Sequence, residues 1–199
     1  MNTSSLFQII KFIEEQLSID HSPLEFRDKN VSKRYLKLIK SHLSNYFDNN
    51  LQTYLNSDIN KKLSVYKNVK YSFDIEPYLM KITGPFIRKS VTLLRLSAHN
   101  LYVETGRYSK VKREDRICQL CESNEIEDEV HFLIDCDFYN NIRQKYVNNI
   151  LQNYCNNRGK LDQLIYLLTS SHDETIEQVG NYVYGAFQKR NQFLYNKTR

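Results

Sequence analysis

Long apolar runs are missing from this chain of 199 residues. The longest apolar stretches, such as TLLRLSAHNLYV, are short and interrupted by charge, so no transmembrane helix is expected. A secretory signal is missing as well, because MNTSSLFQIIKFIEEQ has neither a basic start nor an unbroken apolar core. We therefore expect an intracellular protein, nuclear or cytoplasmic, in a reducing compartment and without a membrane partner.

Internal repeats and low-complexity linkers are also lacking. With 41% hydrophobic and 26% charged residues, the chain can bury one ordinary core, or one core plus a small metal-stapled module. Such a composition is typical of a soluble globular protein. The net charge of +5 permits a nucleic-acid partner without requiring one.

Cysteine is scarce, yet three of the four cysteines lie together in CQLCESNEIEDEVHFLIDC. The potential ligands form a C-x2-C-x9-H-x4-C array of Cys118, Cys121, His131 and Cys136. Zinc binds thiolate sulfur and imidazole nitrogen in four-coordinate sites, so the array predicts a zinc ion. Because all four ligands are protein side chains, the site is closed and its expected role is structural. The alternatives are a chance cluster, or a site in which Cys155, otherwise a buried small hydrophobe, replaces His131.

An acidic run lies between the two halves of this array: Glu125, Glu127, Asp128 and Glu129. These residues could be taken for catalytic carboxylates beside a metal. We predict instead a solvated turn that orients His131 through its second ring nitrogen. His99, the nearest spare histidine, is predicted to be a structural hydrogen-bond partner, and no enzymatic activity is predicted.

A basic segment, RYSKVKREDR, leads directly into Cys118. Its basic residues are Arg107, Lys110, Lys112, Arg113 and Arg116. Together with Arg95, they could contact phosphates while a metal fixes the shape of the loop, although charge alone equally allows a solvated connector. The nearby aromatic residues suit either stacking on unpaired bases or burial around a small metal site. They are Tyr102, Tyr108, Phe132, Phe138 and Tyr139.

Apolar residues at helical spacing predict a mainly α fold of about six helices, a helical domain with an inserted CCHC zinc knuckle. We divide it into an N-terminal helical region (1–60), central helices with the basic loop (61–116), the knuckle (117–140) and C-terminal helices (141–199). The first helix carries Leu6, Ile9, Ile10, Ile13 and Leu17. The second starts near Ser32 and bends or restarts around DNN.

Two helices are predicted between the N-terminal region and the basic segment, and three after the knuckle. The first runs from Asp74 to Ile82, and the second is PFIRKSVTLLRLSA. In the latter, Phe86, Val91 and Leu94 are predicted to face inward, while Arg88, Lys89 and Arg95 stay available to solvent or ligand. NLYVETG is predicted to be extended, and residues 138–154 to form one helix; KLDQLIYLL and a segment starting near Asp173 form two more.

Residues 93–143 resemble the zinc-binding region that follows the reverse transcriptase domain in many animal non-LTR retrotransposons. The resemblance rests on the arginine and histidine of LRLSAHNL, the ETGRY turn, the R-x-C run and the EDEVHFLxxC segment. It implies zinc binding by Cys118, Cys121, His131 and Cys136. The chain has no paired-aspartate motif of the YxDD kind, so the resemblance implies no polymerase activity here.

The combined reading predicts a nonenzymatic, zinc-stabilised nucleic-acid-binding module, favouring RNA or single-stranded DNA, derived from such an element. Two alternatives stay open. One is a zinc-stiffened scaffold for a protein partner, for which Leu6, Ile9, Ile13 and Leu17 could supply an exposed apolar face. The other is an inert remnant of the element.

Overall fold

The computed structural model describes Glu15 and residues 29–57, 63–72 and 74–197. These parts of the chain are mainly helical, which confirms the predicted class, and they contain one isolated antiparallel bridge, Ile117 to Ile126, but no strand. The helices are α1 Lys29–Asn56, α2 Tyr66–Val69, α3 Pro77–Lys81, α4 Pro85–Arg95, α5 Tyr102–Tyr108, α6 Asn140–Tyr146, α7 Asn148–Tyr154, α8 Lys160–Thr169 and α9 Asp173–Lys197. Single turns occupy Arg113–Asp115, His131–Asp135 and Asp137–Tyr139. No helix of the described ranges is long and apolar enough to cross a membrane.

The described residues divide into two compact units. One holds α1 with Tyr71 and Ser72, and the other holds Ser57, 63–70 and 74–197. Helix α1 runs without interruption through the DNN segment, so a restart of the helix there is ruled out. The predicted first helix, with Leu6, Ile9, Ile10, Ile13 and Leu17, lies outside the described residues.

The core of the second unit is built around α9, which packs against α3, α4, α6 and α8. The buried positions of α9 recur every three or four residues, as one face of a helix requires: Ile176, Val179, Tyr182, Val183, Ala186, Phe187 and Arg190. Gly180 lets α4 approach closely, because an added Cβ would lie 2.9 Å from Ile87 Cγ2 and 3.0 Å from Ile82 Cδ1. The second unit therefore places one long helix at its centre and short helices around it.

Helix α5 occupies the NLYVETG segment that was predicted to be extended, so that prediction is wrong. Its first two backbone amides are bound by a residue far along the chain. Tyr102 N–H donates to Glu127 Oε2 at 2.7 Å, and Val103 N–H donates to the Glu127 carbonyl at 3.1 Å. Since unpaired N–H groups at a helix start are costly, this distant cap stabilises a helix that the local pattern does not indicate.

Two further predictions about helices are corrected. Residues 138–154 form a turn and two helices, α6 and α7. The helices are separated at the buried Val147, whose φ of −121° and ψ of −16° leave the helical range.

In α4, Val91 and Leu94 are buried as predicted, but Phe86 is 70% exposed. The buried face of α4 continues from Ile87 to Val91 and Leu94, and Phe86 lies one position, or about 100°, away from it. The predicted short helix with Pro77 in its first turn is present as α3.

Candidate metal centre and the adjoining basic loop

Cys118 and Cys121 lie in a tight turn between two short extended pieces. The turn is closed by Cys118 N–H, which donates to the Glu125 carbonyl at 2.8 Å, and by Glu127 N–H, which donates to the Arg116 carbonyl at 2.9 Å. Asn124 takes the left-handed φ of 55° that reverses the chain, a conformation that asparagine tolerates better than most residues. The turn directs both cysteine side chains toward the segment 131–136.

His131 and Cys136 come from one turn of π geometry that begins at an aspartate cap. Asp128 Oδ1 accepts hydrogen bonds from Val130 N–H at 3.1 Å and His131 N–H at 3.0 Å. The Cys136 N–H then donates to the His131 carbonyl at 2.8 Å, five residues back. This turn is wider than an α-helical turn. It holds the His131 imidazole and the Cys136 thiol on the same side of the chain.

The four predicted donor atoms converge, all lying within 4.8 Å of one another. Cys118 Sγ is 3.9 Å from Cys136 Sγ, and Cys121 Sγ is 3.3 Å from His131 Nε2. A tetrahedral zinc ion separates neighbouring sulfur and nitrogen donors by about 3.5 to 3.8 Å. The spacing of these donors is therefore compatible with zinc, and their chemistry, three sulfurs and one imidazole nitrogen, suits a soft or borderline divalent ion.

The cluster is mostly shielded from solvent, and no disulfide competes for it. Cys118, His131 and Cys136 are buried, Cys121 is half-buried, and all four cysteines of the chain are free. Cys155 is fully buried at the end of α7 but does not belong to the cluster. The cluster thus consists of the four residues of the C-x2-C-x9-H-x4-C array. Cys155 lies apart from it and packs as a small apolar side chain.

Hydrogen bonds orient the donors toward a common centre. Glu125 Oε2 lies 2.9 Å from His131 Nδ1, the nitrogen turned away from the cluster, as the sequence predicted. Burial alone would lower the pKa of the His131 imidazole, but hydrogen bonds to Cys118 and Cys121 raise it to about 9. Hydrogen bonding by Cys136 lowers the pKa of Cys118, which favours a thiolate there. A bound divalent ion would replace the shared protons of these groups.

Two residues that the sequence reasoning missed hold the turn 131–136 in place. Buried Arg143 donates to the carbonyls of Leu133 at 3.1 Å and Cys136 at 2.6 Å, and Tyr182 Oη donates to the Phe132 carbonyl at 2.7 Å. The sequence did contain a signal for Arg143, since it occupies the apolar face of the predicted helix at 138–154. A charged residue in that position needs buried partners.

The prediction of a solvated turn is wrong for two members of the acidic run. Glu125 is exposed and Asp128 half-buried, but Glu127 and Glu129 are only 2% and 4% exposed. Arg190 of α9 binds both carboxylate oxygens of Glu127, at 2.8 and 2.9 Å. Glu129 accepts from Ser97 Oγ at 2.8 Å and bonds to His99 Nε2 at 3.0 Å. Since charged groups are buried at tolerable cost only when paired, these contacts explain why the run enters the core.

His99 has the structural role that the sequence predicted. Its Nδ1 accepts the Leu101 N–H at 3.3 Å, so Nε2 carries the proton that is donated to Glu129. Burial would raise the pKa of Glu129, but the hydrogen bonds from His99 and Ser97 lower it below its ordinary value. Both ring nitrogens of His99 therefore form hydrogen bonds inside the protein.

Arg95 is buried, and the prediction that it stays available to solvent or ligand is wrong. Its side chain is 1% exposed. The guanidinium donates to the Leu168 carbonyl and, at 2.6 Å, to Glu76 Oε2, and it lies 5.0 Å from the centre of the Tyr78 ring. Arg95 therefore joins α3, α4 and α8 and has no free face for phosphate.

The basic loop, residues 107–116, separates into anchoring and exposed side chains. Arg116 is turned into the protein, where it donates to the Val111 carbonyl at 3.0 and 2.7 Å and to the Val103 carbonyl at 2.5 Å. Arg113 pairs with Asp128 at 3.2 Å and keeps 55% of its side chain exposed.

The remaining three cations of the loop lie in its N-terminal half or near its middle, before Arg113 in the sequence. Arg107 pairs with Glu104 at 2.8 Å and is 37% exposed. Lys110 and Lys112 are exposed, and neither has an ion-pair partner among the residues that the structure describes. The structure thus brings four of the six predicted phosphate-binding residues to the surface, and gives Arg95 and Arg116 structural contacts instead.

No family model matches this chain, and no curated protein and no solved structure is significantly similar to it.

The chemistry open to this site follows from its donor set. Four protein ligands complete a tetrahedral shell, so an ion held here has no position left for a reacting water. Such an ion links the turn at 118–121 to the turn at 131–136 and contributes its binding free energy to folding. The arrangement therefore suits a structural ion.

Proposed function

We propose that Cys118, Cys121, His131 and Cys136 bind a structural zinc ion, forming a CCHC knuckle within the helical unit. We further propose that the chain is a nonenzymatic nucleic-acid-binding module that favours RNA or single-stranded DNA. The observation that carries the proposal is the contact between the metal cluster and the basic loop. Asp128 caps the turn that bears His131 and also binds Arg113, 3.2 Å away, so the same carboxylate serves both.

The anchoring of the loop supports a defined binding surface over a solvated connector. Arg113 and Arg116 fix the C-terminal part of the loop, while Lys110 and Lys112 extend into solvent. Exposed lysines on a loop with an anchored backbone can neutralise phosphates and release condensed counterions. A metal that stabilises the neighbouring turn would therefore strengthen binding without touching the nucleic acid.

The proposal predicts salt-dependent binding that involves the exposed lysines of the loop. Fluorescence anisotropy would compare the zinc-loaded protein with a Lys110→Ala/Lys112→Ala variant on single-stranded RNA, single-stranded DNA and duplex DNA. Each lost phosphate contact reduces the slope of log K against log salt by about 0.7 on a single strand, so the slope should become flatter by about 1.4. A Lys67→Ala/Lys89→Ala variant removes the same charge from exposed sites outside the loop and should leave the slope unchanged. An equal slope in all three proteins would remove the loop from the interface.

The origin of the module is part of the same proposal. We suggest that it derives from the region that follows the reverse transcriptase domain of a non-LTR retrotransposon, without polymerase activity of its own. The support is the resemblance carried by residues 93–143, in which Arg95, His99 and Arg116 make the structural contacts described above.

A second candidate function, a protein-interaction scaffold, is favoured by exposed apolar side chains just before α3, on α3 and on α4. Ile75 is 72%, Met80 69% and Phe86 70% exposed, and Leu79 is 38% exposed. Apolar groups of this kind on a surface often mark a partner site. Sedimentation velocity would compare the wild type with a Met80→Ser/Phe86→Ser variant. Self-association that the variant loses, in a protein that binds none of the three nucleic acids, would favour the scaffold.

A further inference from the structure

The aromatic residues around the metal cluster differ in what they can contact. Phe132 and Tyr139 are fully buried, and Tyr102 and Phe138 are half-buried. Tyr108, at the end of α5, is 74% exposed. Of the five aromatic residues that the sequence marked as candidates for stacking, the structure therefore presents one ring to solvent, and that ring belongs to the basic loop.

The backbone holds Tyr108 in a fixed position at the C-terminal end of α5, where the loop begins. Helix α5 ends in a Schellman motif, in which Lys110 N–H donates to the Arg107 carbonyl at 3.1 Å and Val111 N–H donates to the Gly106 carbonyl at 2.9 Å. Lys110 takes a left-handed φ of 57°, a conformation that favours glycine. The backbone of Lys110, two residues after Tyr108, is therefore strained. Strain of this kind often accompanies function.

One cation lies over the exposed ring, and two more follow in the sequence. The Arg107 guanidinium is 5.4 Å from the centre of the Tyr108 ring, and Arg107 is held in turn by Glu104 at 2.8 Å. Lys110 and Lys112 lie two and four residues after Tyr108, and both are exposed. An exposed aromatic ring with cations on the same loop suits an unpaired base together with its flanking phosphates.

We propose that Tyr108 stacks on an unpaired base, while Lys110 and Lys112 contact the adjoining phosphates, so that the loop prefers single strands to duplexes. This inference rests on the proposed nucleic-acid-binding function. Bases inside a duplex already stack on one another and offer no free face to a protein ring, whereas the phosphates of both ligands are open to lysine. The stacking residue should therefore affect single-strand binding, and the lysines should affect both kinds of ligand.

The experiment compares four zinc-loaded proteins by fluorescence anisotropy: wild type, Tyr108→Ala, Tyr108→Phe and Tyr154→Ala. Tyr154 is a matched control, since it is also a tyrosine, is 57% exposed and lies on α7 outside the loop. The ligands are a mixed-sequence single strand, as RNA and as DNA, and the duplex DNA of the same sequence. Tyr108→Ala should weaken single-strand binding by about 5- to 150-fold, the range for one stacked base, and leave duplex binding within about twofold. Tyr108→Phe and Tyr154→Ala should bind like the wild type.

A second set of ligands tests the stacking itself. In single strands with one abasic site moved stepwise along the sequence, the wild type should lose affinity at some positions and Tyr108→Ala at none, because the variant has no ring to stack. Equal losses of single-strand and duplex affinity in Tyr108→Ala, or unchanged affinity, would overturn the inference while leaving nucleic-acid binding intact. Absence of binding by folded, zinc-loaded wild type would overturn the proposed function as well.

Discussion

Gly106 lies where the aliphatic part of Arg116 crosses helix α5. A Cβ at Gly106 would meet Arg116 Cγ at 2.9 Å and Tyr102 Cε2 at 3.2 Å. The head of Arg116 is fixed by its bonds to the Val103 and Val111 carbonyls, so its stem cannot move without breaking them. At the scale of the residue, the glycine of ETGRY is therefore explained by close approach, since its φ is not in the left-handed range.

This contact predicts opposite effects of alanine at two helical glycines. Gly106→Ala should lower the free energy of unfolding by about 1 to 2 kcal/mol, because displacing Arg116 breaks its part-buried hydrogen bonds to the Val103 and Val111 carbonyls. Gly185→Ala in α9 is the matched control. Its Cβ would meet only Ile142 Cγ2, at the ordinary distance of 3.8 Å, so it should raise stability by about 0.5 to 1 kcal/mol. Urea unfolding of both variants measures the difference, and stabilisation by Gly106→Ala would contradict the role given to Arg116.

At the scale of elements, Glu127 joins parts of the chain that are distant in sequence. Its carboxylate caps α5 through Tyr102 N–H, 2.7 Å away, and binds Arg190 of α9 at 2.8 and 2.9 Å. The residue itself lies between the cysteine turn and the histidine turn. One buried side chain thus connects the candidate metal centre, the helix that carries the basic loop, and the central helix of the core.

Breaking this connection should be costly. Glu127→Gln leaves the Arg190 charge buried without a counter-charge, and we expect a loss of about 3 to 5 kcal/mol in the free energy of unfolding, measured with urea. A Glu127→Gln/Arg190→Met double variant removes that uncompensated charge and should recover part of the loss. Glu122→Gln, an exposed site in the same segment, should change stability by less than about 0.5 kcal/mol. A single variant as stable as the wild type would show that the pair is not a structural connection.

At the scale of the whole second unit, the candidate metal centre lies against the core. Phe132 of the histidine turn contacts the core rings of Tyr182 and Phe187, with ring centres 6.0 and 4.7 Å apart. Arg143 and Tyr182 hold the carbonyls of the same turn. Loss of the proposed ion should therefore loosen the turns at 118–121 and 131–136 and weaken their packing on α9.

Metal removal provides the test at this scale. Purified protein should contain one zinc per chain, and Co²⁺ substitution should produce the visible absorption of a tetrahedral thiolate site. Cys121→Ser should lose the ion and lower Tm, whereas Cys155→Ala should keep one ion, since Cys155 lies outside the cluster. Because the thiolates must be deprotonated to bind, acidification should release the metal as protons replace it. Equal metal content in Cys121→Ser and wild type would contradict the proposed ligand set.

Local sequence patterns determined most of the helices and the set of donor residues. Helical spacing of apolar residues is set by the geometry of the helix, and a C-x2-C pair with a nearby His and Cys is determined by what a metal ion needs from a short stretch of chain. For that reason α3, α4, α8 and α9 were predictable, as was the convergence of Cys118 with His131. The second nitrogen of His131 also has the acidic partner that its neighbourhood indicated.

Only the tertiary structure decided which charged residues face solvent. Arg95 and Glu127 look like surface residues in sequence, but their partners Glu76 and Arg190 lie elsewhere along the chain, and pairing makes their burial tolerable. The same distant contact caps α5, which local propensity left extended. Charge alone could not separate the anchoring Arg116 from the exposed Lys110 and Lys112, because a cation binds whichever carbonyl or carboxylate the fold brings to it.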